Sequence, residues 1–323
     1  MQDRRTPAAP PGAAVEARRE AAWARRLQIE TGGQKPRGLH RKIWTRINPD
    51  SSPFTQKMLM AAFFVMGLRA RGRRNTLDIE VREHELPVPR LPAGFDGFRI
   101  LHLSDLHVDS IPEFPPALAG TLEGLAYDAC FFTGDLRYRK HGSIEPALEG
   151  FRVVREAIHA PITMVLGNHD PSEIVEPLRT LGVRILINEA TELKHGDARV
   201  HLVGVDDPHW FQADDLVAAL DGVPDGECRI LLAHAPELYE EAEARGIDLS
   251  LCGHTHGGQI ALPGGWPPFL NTRCPRDLAI RDWQYGRMRG YTTVGAGFSS
   301  IPMRLQVRPE VVIHTLRADG SPS

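Results

Sequence analysis

The chain is poor in cysteine. Cysteine accounts for 4 of its 323 residues, and none of the four belongs to a CxxC pair. Two of them, Cys130 and Cys252, lie within apolar runs that are typical of strands. We therefore expect buried free thiols, which are compatible with a reducing compartment.

The sequence also lacks a hydrophobic run long enough to cross a bilayer. Its longest uninterrupted apolar stretch, residues 58–68, has 11 residues, whereas a spanning helix needs about 20. A secretory signal is not evident, because the twin arginine Arg4-Arg5 is followed by Pro- and Ala-rich and then charged residues. We therefore expect a cytoplasmic protein.

Charge is distributed unevenly along the chain. Residues 1–74 contain 16 Lys and Arg against 5 Asp and Glu, a net charge of +11, and because the whole chain carries −3, the remainder carries −14. A basic arm on an acidic body usually binds something anionic, either a membrane surface or nucleic acid. The alternative is a solvated, disordered tail. Residues 1–15, rich in Pro, Ala and Gly, are predicted to be disordered.

Two segments of this basic arm, residues 1–75, are predicted to be ordered. Residues 16–30 are strong helix formers with Trp23 and Leu27 on one face, which predicts a basic, weakly amphipathic helix. Residues 58–68 have basic flanks and fit a segment in the membrane interface, where anionic lipids attract arginine. The alternative is a helix packed on the body of the protein. The arm therefore predicts peripheral attachment to the inner face of the membrane through residues 16–74.

The body of the chain alternates short apolar runs with helical stretches. Period-two alternation predicts a strand at 77–82, and the proline-rich run 86–92 predicts an extended connector. Further strands are predicted at 98–104, 128–133, 161–166, 183–187, 199–205, 229–233, 248–252, 258–262, 290–295 and 310–316. Helices are predicted within 115–126, 143–158, 172–181, 213–220 and 236–245. This order predicts an α/β domain over residues 76–323, with sheets between layers of helices.

Residues with metal-binding side chains follow five of these predicted strands. In chain order the clusters are Asp105-Leu106-His107, Gly134-Asp135, Gly167-Asn168-His169-Asp170, His234 and Gly253-His254-Thr255-His256. The first, second and fourth clusters are weak signals by themselves, since Gly-Asp is a common turn and most single histidines are simply packed. The third cluster is more specific, and the glycine-flanked pair His254 and His256 is the strongest single element. In open α/β sheets, however, functional residues collect beyond the carboxyl ends of strands. The five clusters are therefore expected to meet.

Their chemistry favours two metal ions. Residues i and i+2 of an extended segment point the same way, so Asp105 and His107 are expected to share one ion, while His254 and His256 meet different ions. Mixed oxygen and imidazole ligands suit Mn²⁺, Fe²⁺ or Zn²⁺. Two ions about 3.5–4 Å apart that share a carboxylate are a recurring device for displacement at phosphorus. His169, with Asp170 beside it, is better suited to proton transfer.

Together the motifs DLH, GD, GNHD, H and GHTH resemble the calcineurin-like metallophosphoesterase superfamily. The resemblance covers residues 98–316 and implies a four-layer αββα sandwich with a binuclear site at the sheet edge. It implies one ion held by Asp105, His107 and His256, a second held by Asn168, His234 and His254, Asp135 as the bridge, and His169 as the acid supported by Asp170. The ending GHTHGGQ and the segment 204–208 resemble a bacterial subgroup whose members are often membrane-attached, some resembling enzymes that cleave UDP-2,3-diacylglucosamine.

The sequence departs from the family at the second motif. Many members continue GD as GDxxD, whereas Asp135 is followed by Leu-Arg-Tyr-Arg, without a second carboxylate. The third motif ends in Asp170, where protein phosphatases have Glu. Both departures disfavour a protein phosphatase. Arg137 or Arg139 is predicted to bind substrate phosphate through a bidentate contact, and the alternative is a surface arginine at the start of a helix.

We therefore expect a hydrolase that cleaves a phosphodiester, a pyrophosphate or a lipid-headgroup phosphoester by attack of a metal-bridging hydroxide. One alternative is a nuclease or nucleotide phosphodiesterase of the same superfamily, whose arm tracks phosphates. Against it, the arm offers Trp23 and Trp44 alone as obvious stacking platforms. The other alternative is a non-catalytic metal-binding scaffold, which the complete ligand set disfavours.

Overall fold

Two six-stranded sheets form the centre of the protein, in a computed structural model that describes residues 12–33 and 53–318. The first sheet has the order β1 (Glu80–Val88), β12 (Glu310–Ala318), β2 (Arg99–Leu103), β3 (Ala129–Phe132), β4 (Ile162–Met164) and β5 (Val183–Ile185). The second has the order β10 (Arg281–Tyr285), β11 (Met288–Thr292), β9 (Leu249–Cys252), β8 (Arg229–Leu232), β7 (Ala198–Gly204) and β6 (Glu189–His195). Strands β2 to β5 are parallel, as are β11, β9, β8 and β7.

Among the described residues, helices between the strands cover the outer faces of the sheets, and three further helices come before the first strand. The α-helices are α1 (Ala13–Glu30), α2 (Pro53–Val65), α3 (Arg69–Asn75), α4 (Phe114–Leu122), α5 (Glu145–Glu156), α6 (Val175–Thr180), α7 (Leu216–Ala219) and α8 (Tyr239–Ala244). Short 3-10 turns lie at Ala93–Phe95, Ser172–Ile174, Pro236–Leu238, His256–Gly258 and Arg276–Leu278.

Alternate residues of the central strands face different cores. In β2, Leu101 and Leu103 pack with the helices α4 and α5, whereas Ile100 faces the other sheet. In β8, Ile230 faces the first sheet and Leu231 packs with α7 and α8. Burial on both faces explains why these strands are continuous apolar runs in the sequence. The predicted four-layer αββα sandwich is confirmed.

Most predicted strands are present, with three differences. Residues 258–262 are not a strand, because this segment makes a single bridge between Ile260 and Leu305. The edge strands β6 and β10 were not predicted because they are polar, and Trp283 is the one buried residue in them. The predicted connector 86–92 is wrong in its first part, since β1 continues through Pro87 to Val88. A proline is tolerated there because β1 is an edge strand.

The described parts of the basic arm pack on the body. Helix α1 begins at Ala13, so the predicted disorder is wrong from that residue on, while residues 1–11 and 34–52, with Trp44, lie outside the described residues. In α2, Phe63 is buried against Ile301 and Met303, which favours the packing alternative for that face of the helix. No helix among residues 12–33 and 53–318 has the length and apolarity to span a membrane.

A chain of three histidines crosses three neighbouring strands of the first sheet, β1, β12 and β2. His102 and His314 are fully buried, and His84 is half-buried. The distance from His102 Nδ1 to His314 Nε2 is 3.2 Å, and His314 Nδ1 lies 3.1 Å from His84 Nδ1. Burial lowers the pKa of His102 to about 3 and the pKa of His314 well below its usual range. These imidazoles are therefore neutral in the folded protein.

This burial predicts acid sensitivity of the fold. An unfolded histidine has a pKa of about 6.5, so between about pH 6.5 and pH 3 the unfolded chain binds a proton that folded His102 does not, and stability falls as pH falls. In metal-free protein, the loss of unfolding free energy from pH 7.5 to pH 5 is expected to be about 2 kcal/mol smaller for His102→Gln than for the wild type. Urea unfolding at both pH values measures this difference. Identical pH dependence in the two proteins would contradict it.

Candidate metal centre

The five predicted clusters lie together where the carboxyl ends of the two sheets meet. They follow the strands β2, β3, β4, β8 and β9. The seven predicted metal ligands are all buried: Asp105, His107, Asp135, Asn168, His234, His254 and His256. Side chains separated by up to about 150 positions in the sequence are thus brought into one cluster.

The backbone is left-handed rather than extended at both ligand pairs, Asp105 with His107 and His254 with His256. The angle φ is 53° at Asp105, 46° at His107, 69° at His254 and 51° at His256. The predicted extended backbone of these two pairs is therefore wrong, although each pair does reach the site from a tight turn. Non-glycine residues held in this region cost about 1–3 kcal/mol each, and such strain is concentrated at functional sites.

Two glycines allow the ends of β3 and β4 to touch. Gly134 has a φ of 92°, and a Cβ atom there would lie 2.6 Å from the backbone nitrogen of Gly167. A Cβ atom on Gly167 would lie 2.2 Å from Asp135 Oδ1. A side chain at Gly134 would push the two strand ends apart, and one at Gly167 would displace Asp135, which explains why glycine begins both functional segments.

The first group of candidate ligands consists of Asp105, His107 and His256. His256 Nε2 lies 3.3 Å from His107 Nε2 and 3.4 Å from Asp105 Oδ1. Two nitrogens that each lie about 2.1 Å from one tetrahedral ion would be about 3.4 Å apart. Asp105 Oδ2 accepts hydrogen bonds from Ser104 and from the His254 N–H, whereas Oδ1 is buried without a hydrogen-bond partner among the described residues. This oxygen and these spacings fit a cation.

The second group consists of Asn168, His234 and His254. His234 Nε2 lies 3.1 Å from Asn168 Oδ1 and 3.2 Å from His254 Nδ1. Asp135 lies between the two groups, because its Oδ2 is 3.3 Å from His234 Nε2 and 3.8 Å from His107 Nε2. The donor set therefore fits two cations with one carboxylate facing both.

Backbone carbonyls orient two of the imidazoles. His107 Nδ1 lies 2.5 Å from the Arg137 carbonyl oxygen, and His234 Nδ1 lies 2.7 Å from that of Thr133. In each case Nδ1–H donates to the carbonyl, which leaves Nε2 as the ring nitrogen that faces the cluster. Metal-ligating histidines are usually held in this way.

Burial and close charges shift the pKa values of the cluster. Burial lowers the pKa of both His254 and His256 well below the usual range, which keeps them neutral as ligands must be. Burial acts against ionisation of Asp135, but His234 and His169 outweigh it and hold the pKa of Asp135 well below its usual range. Burial likewise opposes protonation of His234, yet the Asp135 carboxylate raises the pKa of His234 to about 10. The Asp135 carboxyl group is therefore ionised at neutral pH.

The partners of His169 and Asp170 differ from the prediction. His169 Nδ1 lies 2.8 Å from the Tyr138 carbonyl oxygen and donates to it, which leaves Nε2 for a substrate. The Asp170 carboxylate does not orient this imidazole. It accepts hydrogen bonds from the backbone N–H groups of Asp135 and Gly167, among others. Asp170 therefore supports the backbone of the site instead of the ring of His169.

Arg137 also differs from its predicted role. Its side chain is buried, and Nη2 donates to the carbonyl oxygens of residues 141, 142 and 143. This geometry favours a loop-stabilising role over a bidentate contact with substrate phosphate. The segment is a loop, since α5 begins at Glu145, so the alternative of a helix start does not describe it either. Arg139 and Lys140 are the exposed cations of this loop.

Several residues near the site were missed by sequence reasoning. Arg304 is fully buried, and its guanidinium donates to the carbonyl oxygens of residues 294, 295 and 297 beside His256. His209 has its ring 4.1 Å from that of His254 and its Nδ1 2.6 Å from Glu237 Oε1. His209 directly follows the segment 204–208, whose resemblance to a bacterial subgroup was the available signal for it.

A cavity of about 690 Å³ opens above the metal-binding groups. Its lining includes polar residues of the site, together with Lys140. The apolar lining residues come from α2, from the residues directly after it and from the segments around residues 260, 270 and 301, and we call them the apolar wall: Leu59, Phe63, Met66, Leu68, Ile260, Leu262, Phe269, Leu270, Ile301 and Leu305. The cavity thus combines polar residues of the site with an apolar wall.

Comparison with known proteins identifies this arrangement. The sequence profile described as "Calcineurin-like phosphoesterase" matches residues 98–258. The phosphodiesterase YaeI of Escherichia coli is 31% identical over 232 residues, which are 67% of this chain and 81% of that protein. The uncharacterized metallophosphoesterase YkuE of Bacillus subtilis is 27% identical over 74% of this chain and 86% of that protein.

Among solved structures, the phosphopantetheinyl hydrolase of Mycobacterium tuberculosis aligns with 63% of this chain and 91% of its own, at 14% identity and a TM-score of 0.41. That likeness is too distant to carry a functional argument. The sequence matches are sufficient by themselves: this chain belongs to the calcineurin-like phosphoesterase family and is a metal-dependent phosphoester hydrolase.

Proposed function

We propose that the protein hydrolyses a phosphodiester, a pyrophosphate or a lipid-headgroup phosphoester at a binuclear metal centre. The observation that carries this proposal is the position of Asp135, whose carboxylate faces two separate groups of buried ligands. Two bound divalent cations, with Mn²⁺, Fe²⁺ or Zn²⁺ suited to these ligands, would supply hydroxide at neutral pH and offset the charge of the phosphoryl oxygens.

In this proposal His169 protonates the departing oxygen. The Tyr138 carbonyl holds the Nδ1–H of His169, so Nε2 is the atom that carries and transfers the proton. Burial lowers the pKa of His169 well below its usual range, which makes the protonated imidazole a strong acid, and the negative phosphate of the substrate would favour the protonated form. Asp135 holds the backbone that positions this ring, since its Oδ1 accepts from the His169 N–H at 2.8 Å.

The apolar wall of the cavity favours a substrate with a hydrocarbon part. Leu59 and Phe63 of α2 line the cavity together with Leu262 and Phe269. When an apolar group of the substrate covers this surface, the enzyme–substrate complex is stabilised by roughly 25 cal/mol per Å² of apolar surface removed from water. A lipid-headgroup phosphoester supplies both the phosphorus and the apolar group.

The outer face of α2 supports peripheral attachment to an anionic membrane surface. Phe54, Phe64 and Val65 are 74%, 67% and 84% exposed, and α3 follows with four exposed arginines, Arg69, Arg71, Arg73 and Arg74. Exposed apolar residues beside arginines are the pattern of an interfacial helix. The arginines of α1 do not contribute, because Arg18, Arg19, Arg25 and Arg26 contact the protein body.

A metal-reconstituted substrate screen tests the proposal. Mn²⁺-loaded protein is offered bis-p-nitrophenyl phosphate, phosphomonoesters, nucleotide sugars, DNA and phosphodiesters with acyl chains of increasing length. We expect kcat/KM to rise with chain length, and Phe63→Ala to remove that rise while leaving bis-p-nitrophenyl phosphate turnover nearly unchanged. Phe64→Ala is the matched control, because Phe64 belongs to the same helix but not to the cavity lining.

Other outcomes would decide against parts of the proposal. Preferential cleavage of DNA with strong salt dependence would favour the nuclease alternative. Absence of turnover for every phosphoester in protein that binds metal would favour the non-catalytic scaffold. If kcat/KM depends on acyl-chain length equally in Phe63→Ala and in the wild type, the apolar wall does not contribute to substrate recognition.

A further inference from the structure

Arg26 of helix α1 reaches the metal-binding loop from a distant part of the chain. It is fully buried, with 0% of its side chain exposed. Its Nη2 atom donates to the backbone carbonyl oxygens of Gly167, at 3.2 Å, and of Asp170. Its Nη1 atom donates to the buried carboxylate of Asp206. One guanidinium thus holds both ends of the Gly-Asn-His-Asp segment.

The segment held in this way carries two functional side chains. Asn168 lies 3.1 Å from His234 within the second ligand group, and His169 is the proposed acid. Asp170, whose carbonyl accepts from Arg26, binds the backbone N–H of Asp135 through its carboxylate at 2.8 Å. A displacement of this segment would therefore move Asn168, His169 and the bridging Asp135 together.

The last turn of α1 extends the same contact. Glu30 accepts from Arg26 Nε at 2.9 Å and from the backbone N–H and hydroxyl of Ser172 at 2.9 and 2.6 Å. The ring of Phe211 lies over the guanidinium, 4.1 Å from its central carbon. The helix therefore contacts the chain at residues 167, 170 and 172, and Phe211 covers the guanidinium.

A buried arginine is costly unless its charge and its donors are paired. Here Asp206 and Glu30 supply the charge, and the two carbonyl oxygens take further donors. A planar fork that bonds to a carboxylate and two carbonyls at once has a geometry that lysine cannot reproduce. The role of Arg26 therefore depends on the shape of the group as well as on its charge.

We infer that Arg26 is a positioning residue of the metal centre and that helix α1 completes the centre. It acts through the backbone of residues 167–170, which places Asn168 in the second ligand group and His169 against the leaving oxygen. This inference rests on the proposed function, since it assigns Arg26 to the proposed binuclear site. It also gives the basic helix a partner within the protein instead of a membrane.

Two variants of the whole chain test this role. They are chosen so that an unpaired buried charge cannot be the only cause of a loss of metal binding. Arg26→Lys keeps the charge and removes the fork. Arg26→Met combined with Asp206→Asn removes both charges, and the asparagine oxygen can still accept from the Asp207 N–H, as Asp206 does at 2.7 Å. The control is Arg18→Met, on the same helix, whose partner Asp215 lies away from the metal-binding loop.

The measurements are Mn²⁺ binding by calorimetry and the low-temperature electron paramagnetic resonance signal of a coupled Mn²⁺ pair, without substrate. Both Arg26 variants are expected to fold, as judged by circular dichroism, but to bind the second Mn²⁺ about 10–100-fold more weakly, the range for lost outer-shell support, and to lose the coupled signal. In activity assays kcat should fall while KM for bis-p-nitrophenyl phosphate changes little. Arg18→Met should behave as the wild type.

Wild-type Mn²⁺ affinity and an intact coupled signal in both Arg26 variants would overturn the inference. If Arg26→Lys does not fold, the charge-neutral double variant decides alone. A wild-type protein that binds the Mn²⁺ pair but turns over no phosphoester would contradict the proposed function and leave the positioning role of Arg26 standing. The two failures are therefore distinguishable.

Discussion

Replacing Asp135 is expected to remove phosphodiesterase activity, with kcat/KM falling on the order of 10³-fold or more, because a single carboxylate faces both ligand groups and no neighbour can replace it. Both Asp135→Ala and Asp135→Asn should show this loss. Calorimetric titration with Mn²⁺ should show that the variants no longer bind two ions at the wild-type affinity. Turnover of bis-p-nitrophenyl phosphate measures the loss of activity.

The asparagine variant separates charge from loop structure. Asp135 Oδ1 accepts from the His169 N–H at 2.8 Å, and an asparagine oxygen can accept the same hydrogen bond, so the backbone around His169 should remain in place. If Asp135→Asn kept near-wild-type activity and metal stoichiometry while Asp135→Ala lost both, the residue would support the loop and would not bridge two cations.

Replacing His169 should have an effect that depends on the leaving group. A general acid typically contributes 10²–10⁴-fold to the rate, and alkoxide leaving groups need the proton whereas p-nitrophenolate does not. We therefore expect His169→Ala to lose 10²–10⁴-fold in kcat on alkyl phosphodiesters and far less on activated aryl esters. A series of phosphodiesters with leaving groups of increasing pKa measures the difference as a steeper dependence of the rate on leaving-group pKa.

His169→Gln provides the control for the position of the ring. Glutamine can keep a donor to the Tyr138 carbonyl oxygen but cannot deliver a proton at Nε2. The same leaving-group dependence in both variants supports the acid role. Equal losses on alkyl and aryl substrates would instead assign His169 to metal binding, as its position within 4.8 Å of the ligand atoms of His107 and Asp135 would allow.

Much of the fold could be predicted because it depends on local patterns. The strands β2, β3, β8 and β9 are buried on both faces, so they appear in the sequence as unbroken apolar runs. The edge strands β6 and β10 were not found, since an edge strand has few buried positions and its pairing depends on a neighbour far away in the sequence. The strand predicted at residues 258–262 is absent for a related reason, because the apolar residues there pack without forming a ladder of backbone hydrogen bonds.

The site could be predicted in its composition but not in its supporting contacts. Asp105, Asp135 and His234 were identified because each follows a buried strand. The orientation of His169 by the Tyr138 carbonyl was not foreseeable, since every residue has a carbonyl and its use depends on the path of a loop. Arg137 was misassigned for the same reason: the three carbonyls that hold its guanidinium are placed by the turn at residues 141–143.

The sequence by itself determined the ligand types, their order along the strands and the excess of positive charge in the arm. The tertiary structure alone decided which groups the arginines of that arm contact. A net charge does not specify the partner of any one arginine, whereas a hydrogen bond requires a particular acceptor atom at about 3 Å. Arg26 and Arg71 contribute equally to the charge of the arm, yet Arg26 is buried against the metal-binding loop and Arg71 is exposed. Long-range packing of helix α1 on the body makes that difference.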